Sequence, residues 1–290
     1  MLRKELIKAV KYLELVARRA VNDELAGQYQ SVFKGRGMDF TDVREYQPGD
    51  DIRVIDWNVS ARTNELHVKQ FVEERELTVL LLVDASGSQM FGTFNRRKQE
   101  TAAELAALIA FSAIENNDRV GLMTFTDDIE TSIPPQKGRK HVLRVITEIL
   151  DFTPEHRGTD LPGALEYLSH ITSKRALTFV ISDFQDTDFE TTLTIANRRH
   201  EIIPVVLEDP MERELPNMGL VPFEDPETGE IVTVDTSSKR VRNAFQKRAA
   251  NRREELENIF KKRNIEYIDI RNEESHIEPL VSYFRNRAKR

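Results

Sequence analysis

Thr78-Val-Leu-Leu-Leu-Val-Asp84-Ala-Ser86-Gly-Ser88 is an apolar, β-branched run that stops in one carboxylate and two hydroxyls. A continuous apolar run of this length reads as a strand buried on both faces, as in parallel sheets. It delivers oxygen-bearing side chains to its carboxyl end. Oxygen-only groups on short side chains suit a hard divalent cation such as Mg2+.

Working outward from residue 77, strands and helices alternate. The strand over 77–83 leads into an Ala-rich helix near 96–115. Arg119–Phe125 reads as a strand, and Ile129–Ile133 as an edge strand ended by Pro134-Pro135. Helices are expected near 138–151 and 161–173, a buried strand at Ala176–Ser182, a helix near 189–198 and a strand at Glu201–Leu207. The Gly/Pro-rich stretch 208–236 holds Asp225-Pro-Glu-Thr-Gly229 between strand-like segments, which predicts a hairpin insertion near 215–236. A long helix over 238–263, a strand at Ile265–Ile270 and a short helix close the chain. This alternation predicts a doubly wound α/β domain over 77–290, a mostly parallel sheet with helices on both faces.

Residues 1–76 read differently. Leu2, Leu6, Ala9, Leu13, Val16 and Ala20 mark one face of an N-terminal helix over 2–20. From about 29 to 75 the chain is rich in Gly, Asp and Arg. Short alternating stretches, Ile52-Arg-Val54 and Leu66–Phe71, and the turn signal Pro48-Gly49-Asp50 predict a small β-rich subdomain with Trp57 in its core. The Lys34-Gly-Arg-Gly loop reads as a Gly-rich turn of that subdomain.

Composition narrows the function classes. The chain has 290 residues, 31% of them charged, a net charge of −7 and no cysteine. The negative balance argues against general nucleic-acid affinity. Lack of cysteine excludes disulfides, thiol catalysis and thiolate metal sites, and fits a reducing compartment. No stretch approaches the roughly 20 apolar residues of a membrane span. A cytoplasmic protein with no direct membrane insertion is expected.

In an open parallel sheet, ligands bind beyond the carboxyl ends of the strands. Three polar groups fall there: Asp84-x-Ser86-x-Ser88, Ser182-Asp183 after the apolar run Leu177–Ile181, and Gly158-Thr159-Asp160 before the helix at 161. Two carboxylates and three hydroxyls at one crevice form a candidate Mg2+ site, with Mn2+ or Ca2+ as substitutes. Alone, Asp-x-Ser-x-Ser equally reads as turn and capping chemistry.

Asp84, Ser86 and Ser88, then Thr159, then Asp183 resemble the metal-ion-dependent adhesion site of von Willebrand factor A-type domains. Gly35-Arg-Gly-Met-Asp39-Phe, Arg44-Glu-Tyr-Gln-Pro48-Gly-Asp50-Asp-Ile-Arg53 and Ile55-Asp56-Trp57 resemble the signature of a bacterial family known as "domain of unknown function fifty-eight". The resemblance implies that Asp84, Ser86 and Ser88 hold the metal, that Thr159 and Asp183 ligate according to state, and that a partner's carboxylate takes an open position. It also implies a non-enzymatic adaptor working with a MoxR-type AAA+ ATPase in maturing or remodelling client proteins. Phe184 departs from the pattern, because many A-type domains carry glycine after this aspartate.

Two other functions compete. A phosphohydrolase using Asp84 as nucleophile would need a second Asp two residues on, where Ser86 stands, and no phosphate-binding glycine loop is present. The six histidines show no paired ligand spacing. The 238–263 helix carries ten Lys and Arg. Its apolar positions Val241, Phe245, Ala249, Leu256 and Phe260 predict an amphipathic helix packed on the sheet, with nucleic-acid adaptor binding as the alternative. Aromatic residues are too sparse on it for a stacking platform.

Overall fold

The computed structural model describes residues 39–72, 76–93, 96–172, 174–272 and 276–288, with Lys8, Val10, Lys11, Tyr12 and Glu14 near the N-terminus. Those five positions are helical. The remainder of the expected 2–20 helix, the Lys34-Gly-Arg-Gly loop and the Gly35–Met38 part of the signature lie outside the described residues.

Six strands form the main sheet. They are β3 (Thr78–Asp84), β4 (Arg119–Phe125), β5 (Ile129–Gln136), β6 (Leu177–Ser182), β7 (Glu201–Glu208) and β10 (Ile268–Arg271), in the order β10-β7-β6-β3-β4-β5. All neighbours pair in parallel except β4 with the edge strand β5. Alternate side chains of β3 point to opposite faces, so each face receives part of one apolar run. Val79, Leu81 and Val83 pack with α2 (Lys98–Glu115), α3 (Arg139–Asp151) and α8 (Ile277–Ala288). Leu80 and Leu82 pack with α4 (Leu161–Ile171), α5 (Phe189–Arg199) and α7 (Lys239–Lys262). The alanines of α2 let it lie close to both the sheet and α3, and its central turns are buried all round. This is the doubly wound arrangement that the alternating pattern predicts. The chain leaves β3 for β4 on one side and returns to β6 on the other, so the topological switch point lies at the carboxyl ends of β3 and β6.

Outside the main sheet, β1 (Asp39–Glu45) and β2 (His67–Val72) form an antiparallel pair joined by a turn and α1 (Trp57–Thr63). The signature residues build that turn. Arg44 forks onto both oxygens of Asp50 at 2.7 Å, and Asp56 caps α1 through Asn58 and Val59 N–H groups. The insertion after β7 holds α6 (Pro210–Arg213) and the hairpin β8 (Leu220–Glu224) and β9 (Ile231–Asp235).

Several expectations are corrected. Ile52–Val54 forms a 3-10 turn, because the Asp51 carboxylate accepts from Arg53 N–H and closes it locally. Trp57 is 65% exposed rather than core; α1 instead turns Ser60 inward, where its hydroxyl accepts from His67 N–H. Strand β5 continues through Pro134-Pro135, which an edge tolerates since its outer N–H groups need no partner. Strand β10 begins at Ile268, not at 265, because Ile265 N–H is still bound to Phe260 in the C-terminal turn of α7. Helix α6 was legible but unread: Asp209-Pro-Met-Glu212 is a capping box with proline at the first helical position.

Leu81 lies at the centre of the central strand with no exposed surface. Leu81→Ala is expected to cost about 2–5 kcal/mol, measurable as a fall in the urea midpoint at an unchanged slope.

Candidate metal centre at the switch point

Asp84 ends β3 and is 2% exposed. Its Oδ1 accepts from Ser86 N–H at 2.9 Å and its Oδ2 accepts from the Ser182 hydroxyl at 2.6 Å. Ser182 ends β6, so the two central strands are tied at their tips. Beyond Asp84 the chain enters a 3-10 turn, Gly87–Met90, and the hydroxyls of Ser86 and Ser88 stand 3.0 Å apart. The Gln89 amide, buried beneath them, donates weakly to Asp84 Oδ2 and Ser88 Oγ, and its Oε1 has no partner.

Thr159 comes from the loop before α4. That loop reaches the β3 turn directly, because Gly87 N–H donates to Arg157 C=O at 2.9 Å. Gly87 is glycine for a steric reason: a Cβ there would lie 2.2 Å from the Pro226 carbonyl oxygen at the β8–β9 tip. Beside it, the Thr159 hydroxyl donates to Glu227 Oε1 at 2.9 Å. The structure therefore gathers Asp84, Ser86 and Ser88 tightly, docks the Thr159 loop on them and brings the hairpin tip over both.

Asp183 follows β6 and is engaged by a group the sequence reading missed. Lys98, the first residue of α2, is fully buried; its ammonium donates to Asp183 Oδ2 at 2.6 Å and to Glu212 Oε1 at 2.7 Å. Glu212 is held at its other oxygen by Asp209 N–H at 2.8 Å, through the capping box of α6. Gln185 also donates to Glu212 Oε1 at 3.0 Å. Nothing in the spacing marks Lys98, which reads as an ordinary charge at a helix start. Glu212 and Glu227 are likewise acids on an insertion whose docking no local pattern encodes.

The electrostatics follow from this burial. Two carboxylates, Asp183 and Glu212, hold the Lys98 ammonium and Asp84 lies near Asp183, so the three acids and one ammonium leave two negative charges when all are ionised. Burial, and then the charge of Asp183, push the Asp84 carboxyl up to about 6 against the hydrogen bonds that favour its anion. Burial works against the Lys98 charge, but Asp183 and Glu212 outweigh it and raise the ammonium above its ordinary value. Glu212 is raised by burial in spite of Lys98. Among the described residues no group of three or more His, Asp or Glu is disposed to hold a metal. A cation here would rest on the Ser86 and Ser88 hydroxyls beside Asp84. That donor set, with its surplus buried negative charge, fits a hard divalent ion.

Phe184 takes the place of the glycine expected after Asp183, and it adopts glycine's conformation, φ 54°. Its ring offsets the strain by packing edge-on to Phe260 at 5.6 Å and against Phe189 at 5.8 Å. The left-handed turn lets Phe184 N–H donate to Ser182 Oγ, which keeps that hydroxyl aimed at Asp84.

A doubly wound α/β domain with oxygen-bearing side chains gathered at its switch point is the arrangement that the resemblance to von Willebrand A-type domains implies. The chain belongs to the family described as "Protein of unknown function DUF58", whose match spans residues 42–255. Uncharacterized protein Rv1480 of Mycobacterium tuberculosis is 30% identical over 289 residues, 98% of this chain and 90% of that protein. The magnesium-chelatase 67 kDa subunit of Heliobacterium mobile is 23% identical over 201 residues, 68% of this chain and 28% of that protein. Among solved structures, BatB from Bacteroides thetaiotaomicron aligns at 15% identity with a TM-score of 0.49, over 74% of this chain and all of that one. No helix among the described residues is long and apolar enough to cross a membrane.

Two outcomes are expected. Phe184→Gly should be less damaging than Phe184→Ala, by about 1 kcal/mol in chemical denaturation, because both lose the ring but only glycine is free of the left-handed cost. In the presence of EDTA, the stability of wild type relative to Asp84→Asn should fall as pH rises from about 4 to 6, since the folded wild-type chain there holds a proton on Asp84 that the unfolded chain releases. At pH 8 the cation-free Asp84→Asn protein, which buries no charge at this position, should be the more stable of the two. Melting curves of both proteins across pH check it.

Proposed function

We propose that this protein is a non-enzymatic, cytoplasmic interaction module in which a divalent cation, Mg2+ foremost, is shared with a carboxylate of another protein. Asp84, Ser86 and Ser88 hold the ion directly or through water. Thr159 and Asp183 complete the set, and Asp183 does so in exchange with its Lys98 ion pair. The ion supplies positive charge at a crevice whose surplus is negative, and so makes a partner's carboxylate welcome there. The observation that carries this reading is the packing of Asp84, Ser86 and Ser88 at the switch point beside a net-negative buried cluster. The partner class follows from the family resemblance: a MoxR-type AAA+ ATPase, with a client protein remodelled or matured between them. Residues 1–76 form, in this reading, a subdomain distinct from the α/β domain of 77–290.

The rival functions have less support. As a phosphohydrolase nucleophile, Asp84 lacks the second aspartate two residues on, where Ser86 stands. As a nucleic-acid surface, α7 loses part of its charge to structure. Arg253 pairs with Glu257 and Asp269, Arg263 pairs with Glu190, and Arg252 donates to Gln185.

The test is binding of the cognate MoxR-type AAA+ ATPase, measured with Mg2+ and with EDTA. Wild type should bind only with the cation, and Asp84→Ala and Ser86→Ala should each lose at least tenfold in affinity. Binding indifferent to both EDTA and these substitutions would sink the reading. Turnover of phosphate esters lost in Asp84→Asn would revive the hydrolase.

A further inference from the structure

We propose that Glu227, at the tip of the β8–β9 hairpin, is the chain's own carboxylate for the cation site and occupies the position a partner's carboxylate takes. The hairpin is then an internal competitor, and partner binding requires its displacement. This rests on the cation reading above.

Three observations lead here. The first is the seat of the tip. The Pro226 carbonyl lies so close to Gly87, between the two serines, that no side chain fits there. Glu227 Oε1 sits 2.9 Å from Thr159 Oγ1. The second is proximity. The Ser86 and Ser88 hydroxyls stand 3.0 Å apart, and the loop that carries Thr159 is bound to their turn through Gly87 N–H and Arg157 C=O, so the carboxylate that Thr159 holds comes with it to the candidate site. The third is preorganisation. Asp225 Oδ1 accepts from Glu227 and Thr228 N–H groups, and Gly229, at φ 74°, closes the turn onto the Asp225 carbonyl. The turn is thus held by its backbone and by Asp225, and the Glu227 side chain, whose Oε1 accepts from Thr159, takes no part in closing it.

The rest of the hairpin is suited to release. Its two strands pair with each other, and Leu220, Ile231 and Val232 are well exposed. An isolated two-stranded hairpin is marginal in water, so a tip held by one carboxylate and one close backbone contact can be exchanged at little cost. The competing ligand is an acidic peptide segment, whose carboxylate takes the place of Glu227.

The experiment measures Mn2+ affinity by electron paramagnetic resonance for wild type, Glu227→Ala, Glu227→Gln and Asp84→Ala, with and without acetate. Amide exchange of residues 220–235 is followed in parallel with and without Mg2+. Loss of the carboxylate in Glu227→Ala should weaken Mn2+ binding about 10- to 100-fold. Acetate should restore it, and should not do so in Glu227→Gln, whose amide still fills the space. Mg2+ should slow exchange at the tip in wild type and leave it unchanged in Glu227→Gln. If Mn2+ binds wild type and Glu227→Ala equally while Asp84→Ala abolishes binding, the hairpin proposal fails and the cation reading stands. Weakened binding that acetate does not rescue also overturns it, since the hairpin then acts through packing alone. If wild type binds no Mn2+ at millimolar concentration, both fall together.

Discussion

A fully buried ammonium sets the terms for the rest of this structure. Lys98 stands at the start of α2, inside the protein, and ties the residue after β6 to the first turn of the insertion after β7. An unpaired charge there would cost several kcal/mol. Two carboxylates therefore converge on it, and each is positioned by a separate backbone device: Gln185 N–H on Asp183 and the α6 capping box on Glu212. The pairing is unequal, and Asp84 adds a third acid nearby. The crevice therefore stays short of positive charge even with Lys98 in place, and this shortage gives the hydroxyls of Ser86 and Ser88 a chemical meaning beyond turn formation.

The fold makes this crevice by its winding. Because crossovers leave β3 in opposite directions, no connection covers the tips of β3 and β6, and the gap is filled by loops. Three loops meet there: the serine turn, the Thr159 loop and the β8–β9 tip. Gly87 is where they touch. Its missing side chain admits the Pro226 carbonyl, and Phe184 accepts a left-handed backbone that keeps Ser182 on Asp84. One position requires glycine for space. The other does without glycine because its aromatic ring, buried on the sheet face that α4, α5 and α7 cover, compensates for the strain.

Much of this was legible before folding. Strands β3, β4, β6 and β7 and helices α2, α3, α4, α5 and α7 fall within a few residues of their expected bounds, because periodicity of 2 or 3.6 and continuous apolar runs report burial directly. Where local side-chain chemistry overrode pattern, the reading slipped. Asp51 turned Ile52–Val54 into a 3-10 turn, and Asn264, at φ 53°, with Ile265 prolonged the end of α7. Trp57 shows the limit of composition: a large aromatic ring is usually buried, yet here it stands at the first position of a capped helix and faces out.

From sequence alone came the doubly wound class, the strand that ends in Asp84 and the short list Asp84, Ser86, Ser88, Thr159 and Asp183. These follow from near-neighbour patterns and from the rule that parallel strands deliver their ends to one edge. Only the tertiary structure placed Lys98 between Asp183 and Glu212, raised the Asp84 carboxyl by burial and set Glu227 on Thr159. Those contacts join residues 68 to 114 positions apart. Their energies depend on depth and dielectric, which exist only once the chain has closed around them.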